Sequence, residues 1–459
     1  MRMMTVAAKG LVGLVFLVVA GLAAWLAVAP PDLIRVGSGY AAKIVCSNVF
    51  VAGRDPDEVL RVDVQAPGHP LLRLMRVSVD REAGTVTAGL LGVFGRNYAL
   101  HRPGLGCSSV PSGEFAQAPA LRVENETAGL GDAPWPEGST VSPPENAALS
   151  AALDDPALTG AGMRAVVVVK NGRIVGERYG QAFSAQTPLL GWSMTKTVNA
   201  ALLGIVVGQN RLTVDRRNLF GQWRADDRRD IRILDLMGMS SGLAFNEDYG
   251  EVTDVTRMLF LEPDAAHFAA SLPMETAAGS RFSYSSGTAV LLSRIWQRAA
   301  TDQALVLPRR ALFEPIGMTS AVLEVDEQGT FAGSSFLYAT ARDWARFAQL
   351  LLQDGVWNGR AVLPPGFVAF MQEPAPASNG AYGRGQLWLE GPDAGRDGGD
   401  LDKAAGLPDD TYWLLGHDGQ SIAVVPSQQL IVVRMGLTPG HERYAPQALV
   451  SAALRAMAN

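Results

Sequence analysis

The sequence predicts a mixed α/β chain: an antiparallel sheet flanked by helices with an all-helical subdomain, preceded by a transmembrane helix and a small β-rich N-terminal region. Three observations carry this. An uncharged stretch runs from Gly10 to Ala29, strand-like segments stand at both ends of the region beyond about 150, and between them, from about 192 to 355, apolar residues recur at helical spacing. The 459 residues are 48% hydrophobic and 18% charged, which suits a large buried core and not a disordered chain. The net charge of −6 and the lack of any Lys/Arg run leave no basic footprint, so no nucleic-acid partner is expected.

Taken in order, Gly10 to Ala29 would be about 30 Å long as a helix at ~1.5 Å per residue, the thickness of a bilayer's hydrocarbon core. Arg2 and Lys9 precede it and Pro30-Pro31-Asp32 follow, so the positive-inside bias places everything after Pro30 outside the cytoplasm. Residues 1–30 are read as an anchor. The alternative is a cleaved signal ending at Ala27-Val28-Ala29, and both readings put the body in an extracytoplasmic compartment. Residues 31–122 read as β-rich, with Val77 and Val79 alternating with polar neighbours and a turn at Glu82-Ala83-Gly84 leading into Thr85-Val86-Thr87. The two cysteines, Cys46 and Cys107, fall here; an oxidising compartment favours a disulfide over two buried thiols. Residues 123–148 are rich in Pro and Gly and read as a connector.

The remaining segment, 149–459, opens with a hairpin: Ala165 to Val169, a turn at Asn171-Gly172, then Ile174 to Arg178. It closes with strands at Thr411–Leu415, Ser421–Val425 and Leu430–Met435, so one sheet is expected to be built from both termini of this region around a helical insertion. His69, His101, His267, His417 and His441 are scattered without metal-ligand spacing, and no metal or cofactor is expected.

The most informative stretch is Gly191-Trp192-Ser193-Met194-Thr195-Lys196, followed by Val198, Ala201, Leu202, Ile205 and Val206 at helical spacing. Residues three apart share a helix face, so the Lys196 nitrogen can reach the Ser193 hydroxyl near a helix N-terminus. A serine needs an adjacent base, and a lysine serves only if its pKa falls from ~10.4. With five lysines in the chain, roughly 0.3 such Ser-x-x-Lys spacings arise by chance, so the motif alone is weak. Trp192 and the apolar run behind it argue for a buried helix. Gly191-x-Ser193 also begins like a nucleophile elbow, which fails at Thr195, where a second glycine belongs.

Two further stretches are Phe282-Ser283-Tyr284-Ser285-Ser286-Gly287 and Gly416-His417-Asp418-Gly419-Gln420. Together these motifs resemble the serine β-lactamase and penicillin-recognising superfamily, in its class C and esterase branch, which carries Ser-x-x-Lys, then Tyr-x-Asn or Tyr-x-Ser, then Lys-Thr-Gly or His-x-Gly in that order. Ile233 to Leu243, Leu312 to Met318 and Ala339 to Phe347 also look like family segments, so the resemblance covers about 150 to 455. It implies a β-lactamase-like fold, Ser193 as the acylated nucleophile, Lys196 in a buried proton relay, and Tyr284 as an acid/base whose anion Lys196 would stabilise. It further implies an oxyanion hole made by the backbone N–H groups of Ser193 and Gln420. Ser286, His417, Gly419 and Tyr249 are expected at the substrate, with a surface-loop tyrosine and a strand-end histidine as the plain alternatives for Tyr249 and His417.

Ser286 stands where class C β-lactamases have asparagine, and His417 where they have lysine; a histidine gives no fixed cation for a β-lactam carboxylate. Tyr-x-Ser and the segment Phe245-Asn246-Glu247-Asp248-Tyr249 look more like the 6-aminohexanoate (nylon-oligomer) hydrolases. The expected activity is hydrolysis of small-molecule or peptide-like amides or esters through an acyl-enzyme. The alternatives are a DD-peptidase or weak β-lactamase and, from another class, a membrane-anchored binding protein or sensor without turnover.

Overall fold

The computed structural model describes residues 2–66, 68–124, 129–392 and 399–458; the part of the expected connector at 125–128 lies outside the described residues. The larger body is built on a five-stranded antiparallel sheet whose strands lie in the order Tyr412–Gly416 (β7), Gln420–Val425 (β8), Leu430–Gly436 (β9), Met163–Lys170 (β5) and Arg173–Tyr179 (β6). The β5–β6 turn uses Asn171 and Gly172, both at positive φ (51° and 72°), the backbone that an Asn-Gly hairpin provides without strain. β9 pairs with β5 along its whole length, so the two ends of this region share the sheet's centre.

Both faces of that centre are covered, which explains why β5 reads as an unbroken valine run and not as an alternation. Ala165, Val167 and Val169 face the main core. Val166 and Val168 face a second layer with Leu149 and Leu153 of one helix (Ala147–Asp154) and Leu449, Val450 and Ala453 of the C-terminal helix (Gln447–Ala458). On the main-core side lies a helix at Ala341–Leu352. The insertion between β6 and β7 holds the helices Thr195–Gly208 and Ser286–Ala300, which pack against each other.

The N-terminal part corrects one expectation. After α1 (Arg2–Val28), the segment read as the start of a β-rich region is a long helix, α2 (Asp32–Phe50), followed by short helical turns to Leu74. Strands begin only at β1 (Met75–Asp80) and continue through β2 (Thr85–Leu90), β3 (Phe94–Arg102) and β4 (Gly106–Ser109) in the order β1-β2-β3-β4. Gly37, Gly39 and several β-branched residues weaken the helical signal of α2, and its burial hides any polar face. Every residue from Val36 to Val49 except Tyr40 is buried, because α2 is clasped between this small sheet and the body.

The clasp is polar as well as apolar. Lys43 pairs with Glu324 of the body, Ser47 Oγ lies 3.0 Å from Lys43 Nζ, and the Cys107 N–H donates to Glu324 Oε1 at 2.7 Å. Asp63 accepts Arg54 at 2.8 Å and Arg164 of β5 at 2.5 Å. Cys46 of α2 and Cys107 of β4 form a disulfide. The connector is not a free linker either: Trp135 is buried, and Arg346 donates to the Pro136 and Gly138 carbonyls at 3.0 and 2.6 Å.

Candidate active site

Ser193 sits in a tight turn, Trp192–Met194, that runs directly into the Thr195–Gly208 helix. Trp192 holds φ +48°, a left-handed conformation that costs a bulky side chain about 1–3 kcal/mol and persists only where surrounding packing enforces it. The enforcement is visible. A Cβ on Gly191 would come within 2.1 Å of the buried Trp344 ring, and one on Gly416 within 2.3 Å of the Gly191 carbonyl. Glycines at both places let the nucleophile turn lie between Trp344 and the end of β7.

Lys196 is fully buried. Its Nζ lies 3.0 Å from each of Ser193 Oγ, Ser286 Oγ and the Ser334 carbonyl. Burial lowers its pKa from 10.5 to about 8, against the opposing field of Glu247. Ser286 donates its hydroxyl to Glu247 Oε1 at 2.5 Å, and its N–H to Glu247 Oε2 at 2.7 Å. Lys196, Ser286 and Glu247 therefore form a line behind Ser193. Burial raises the Glu247 pKa, with Lys196 acting in the opposite direction.

Ser286, expected at the substrate, is fully buried, and its hydroxyl joins the lysine to the carboxylate. Glu247 is the functional candidate that the sequence reading passed over, although it lies inside a quoted segment. A lone glutamate in a loop carries no spacing signal, and its contact with Ser286 arises only in the fold.

Tyr284 lies on the loop just before the Ser286–Ala300 helix, its phenol against the Ser193 hydroxyl. Lys196 Nζ is 4.7 Å from the Tyr284 ring centroid, over its face. Burial, reinforced by Glu247, pushes the phenol's pKa up. The expected stabilisation of a phenolate by Lys196 is thus not what the geometry provides: the cation addresses the ring face, and the neutral phenol is favoured. Tyr382 and Trp388 wall the ring at 6.0 and 5.5 Å between centroids.

On the other side of Ser193, Trp192, Tyr249 and His417 form an aromatic cluster. Tyr249 stacks on His417 with centroids 4.8 Å apart, and Trp192 meets both edge-on at 6.2 and 5.5 Å. Tyr249 is half-buried, its phenol near the Ser286 and Ser335 hydroxyls, so it belongs to this cluster and not to a free surface loop. His417 is exposed, 3.4 Å from the Asp418 carboxylate.

Gly419 has φ +80° and follows Asp418 at φ +57°. The glycine is required by this backbone turn, and a Cβ there would meet Arg434 Nη1 at 3.0 Å. Gln420 opens β8 opposite Gly416, and both β7 and β8 contact the Trp192–Met194 turn. The Gln420 side chain is committed to β9, its amide spanning the Gly436 N–H at 2.8 Å and carbonyl at 2.5 Å, which leaves only backbone for any role at the reacting carbonyl.

The sequence pattern of the Beta-lactamase family matches residues 151–455. The chain belongs to the Beta-lactamase family. Members of this family are serine hydrolases that act on amide or ester bonds, and this chain is a hydrolase of that kind. Among solved structures, a family VIII carboxylesterase aligns with a TM-score of 0.54 at 14% identity, covering 69% of this chain and 99% of its own. A penicillin binding protein from Bacillus halodurans aligns with a TM-score of 0.51 at 17% identity, over 67% and 99% of the two chains. A protein assigned as a 6-aminohexanoate-dimer hydrolase from Bacillus anthracis has a TM-score of 0.51 at 21% identity, over 65% and 78%. These likenesses establish the β-lactamase fold. No curated protein matches the chain.

Proposed function

We propose that the chain is a membrane-anchored amidase or esterase whose Ser193 forms the acyl-enzyme. The observation that carries this reading is a buried lysine amine, with a pKa of about 8, placed 3.0 Å from the Ser193 hydroxyl. As the neutral amine, Lys196 accepts the Ser193 proton while Oγ attacks the substrate carbonyl. The Ser193 and Gln420 N–H groups receive the developing oxyanion, and Tyr284, a neutral phenol against Ser193, passes its proton to the leaving group as the proton held by Lys196 returns through Ser193 Oγ to replace it. Water then releases the acid by the same relay in reverse. His417, Gly419 and Tyr249 border the substrate. α1, with no residue of Leu11–Val28 buried, anchors residues 31–122, the connector 123–148 and the hydrolase body 149–459 on the extracytoplasmic side.

The test is turnover of short p-nitrophenyl esters and anilides by the full chain, together with active-site titration by a fluorophosphonate. Ser193→Ala is expected to lose both the label and at least ~10³-fold of the turnover. A fully active Ser193→Ala protein sinks the assignment. A long-lived labelled-penicillin adduct on Ser193 would instead favour a DD-peptidase-like activity.

A further inference from the structure

A cleft of about 630 Å³ runs from the Trp192–Tyr249–His417 cluster to the N-terminal region. Its far wall is made by Leu33 and Val36 of α2 with Leu71 and Leu72. That wall is apolar, and it stands at the foot of the membrane helix. Leu33 follows Val28 by five residues, so it lies within ~18 Å of the end of α1 even if the chain between is fully extended. The intervening segment is fixed: Pro30 and Ile34 both pack on Gly95 of β3, where no Cβ would fit.

The same end of the molecule carries an unusual surface. Outside α1, the exposed large apolar side chains among the described residues are Leu33, Leu74, Leu91, Val93 and Val356. Three of these, Leu74, Leu91 and Val93, gather at the β2–β3 turn, where the Leu91 N–H donates to the Leu74 carbonyl at 2.9 Å, and Leu33 lies on the Pro30–Ile34 segment that packs on Gly95, two residues past Val93. Leu91 is 55% exposed at φ +52° in the β2–β3 turn, followed by Gly92 at φ +80°. The tight hairpins at Asn171-Gly172 and Asn358-Gly359 place asparagine at the equivalent left-handed position. Here a leucine takes the strained position and projects into the surroundings, which intramolecular packing does not account for. Exposed Arg73, Arg76 and Arg96 surround this tip, with Arg76 Nη1 on the Arg73 carbonyl and Arg96 Nε on the Gly92 carbonyl, each at 3.2 Å. Apolar side chains ringed by arginines, continuous with an exposed apolar helix, match the interface of an anionic phospholipid leaflet.

We infer that this tip seats in the headgroup layer beside α1 and that the cleft takes the acyl chain of an amphiphilic amide or ester presented by the bilayer. The inference rests on the hydrolase reading above and names its substrate class. The full chain, reconstituted in mixed phosphatidylcholine and phosphatidylglycerol vesicles and titrated with fluorophosphonate, would be assayed on p-nitrophenyl esters from acetate to decanoate. At about fourfold per buried methylene, kcat/KM is expected to rise at least ~100-fold across the series, and Val36→Trp to cut the decanoate-to-acetate ratio at least tenfold. A flat or falling series from a labelled, active protein overturns the inference alone. Absence of labelling and of turnover on every ester takes down the hydrolase reading and this inference with it. Leu91→Asn combined with Val93→Asp relieves the turn while removing the apolar tip. It is expected to lose at least tenfold on vesicle-borne decanoate with the rate on dissolved acetate kept, and rates on both esters unchanged from the unsubstituted protein would overturn the bilayer part.

Discussion

In the proposed reaction, burial of the Lys196 amine sets the pH at which the Ser193 oxygen can lose its proton. The rate on a neutral ester is expected to rise with pH and level off above about 8, where the amine becomes neutral. Glu247 opposes this fall in pKa, so Glu247→Gln should move the rising limb to lower pH, with up to ~10-fold less activity from the loosened relay; a pH profile of kcat/KM reads both effects. The folded pKa of Lys196 lies below its ordinary 10.5, so between about 8 and 10.5 the unfolded chain binds more protons and this group makes stability rise with pH. The meeting of Ser193, Lys196 and Tyr284 was legible in the sequence because the first two share a helix face and the third follows in a fixed motif order. Glu247 was not, since its position depends on a loop folding back on Ser286. The loss of Tyr284's expected anion was equally hidden, because it follows from which part of the ring the lysine meets.

At the scale of elements, the nucleophile turn depends on the space that two glycines leave. Gly191→Ala would drive a methyl into the Trp344 ring, an overpacking expected to cost ~1–3 kcal/mol and to shift Ser193 away from Lys196. Denaturation together with fluorophosphonate labelling rate checks it, and a variant of native stability and labelling rate would contradict the account. Local signals predicted the elements well wherever they acted alone: Asn171-Gly172 marked its hairpin, and the Glu82–Gly84 turn did indeed join two strands. α2 failed that reading because its helical conformation is imposed from outside. Glycines 37 and 39 allow close contact with Met75 and Phe260, and burial all round erased the polar stripe by which a surface helix is recognised.

For the whole molecule, the Lys43–Glu324 pair decides how firmly the N-terminal region is held to the hydrolase body. Lys43→Met leaves the Glu324 carboxylate buried without its cation and is expected to cost ~3–5 kcal/mol, whereas Lys43→Met with Glu324→Leu should recover most of it. Burial already raises the Glu324 pKa, so the single variant's deficit should grow as pH rises above the ordinary carboxyl value, because only the unfolded chain then ionises freely. Urea midpoints at pH 5 and pH 8 measure this. The β-lactamase-like sheet with its helical insertion was visible in the order of segments. The grip of α2 on the site was not, because Lys43 and Glu324 meet only through the tertiary fold.

One consequence follows from the origin of the cleft's two sides. The side at Trp192 and His417 and the opposite wall at Leu33 and Val36 come from distant stretches of the chain, so on the proposed reading selectivity can be re-tailored in a library confined to the latter while the bond-breaking apparatus is left untouched. The converse also holds: trimming the gene to its family-matching portion would discard half of the specificity determinant and bare an oily flank, yielding a sticky fragment with blunted discrimination.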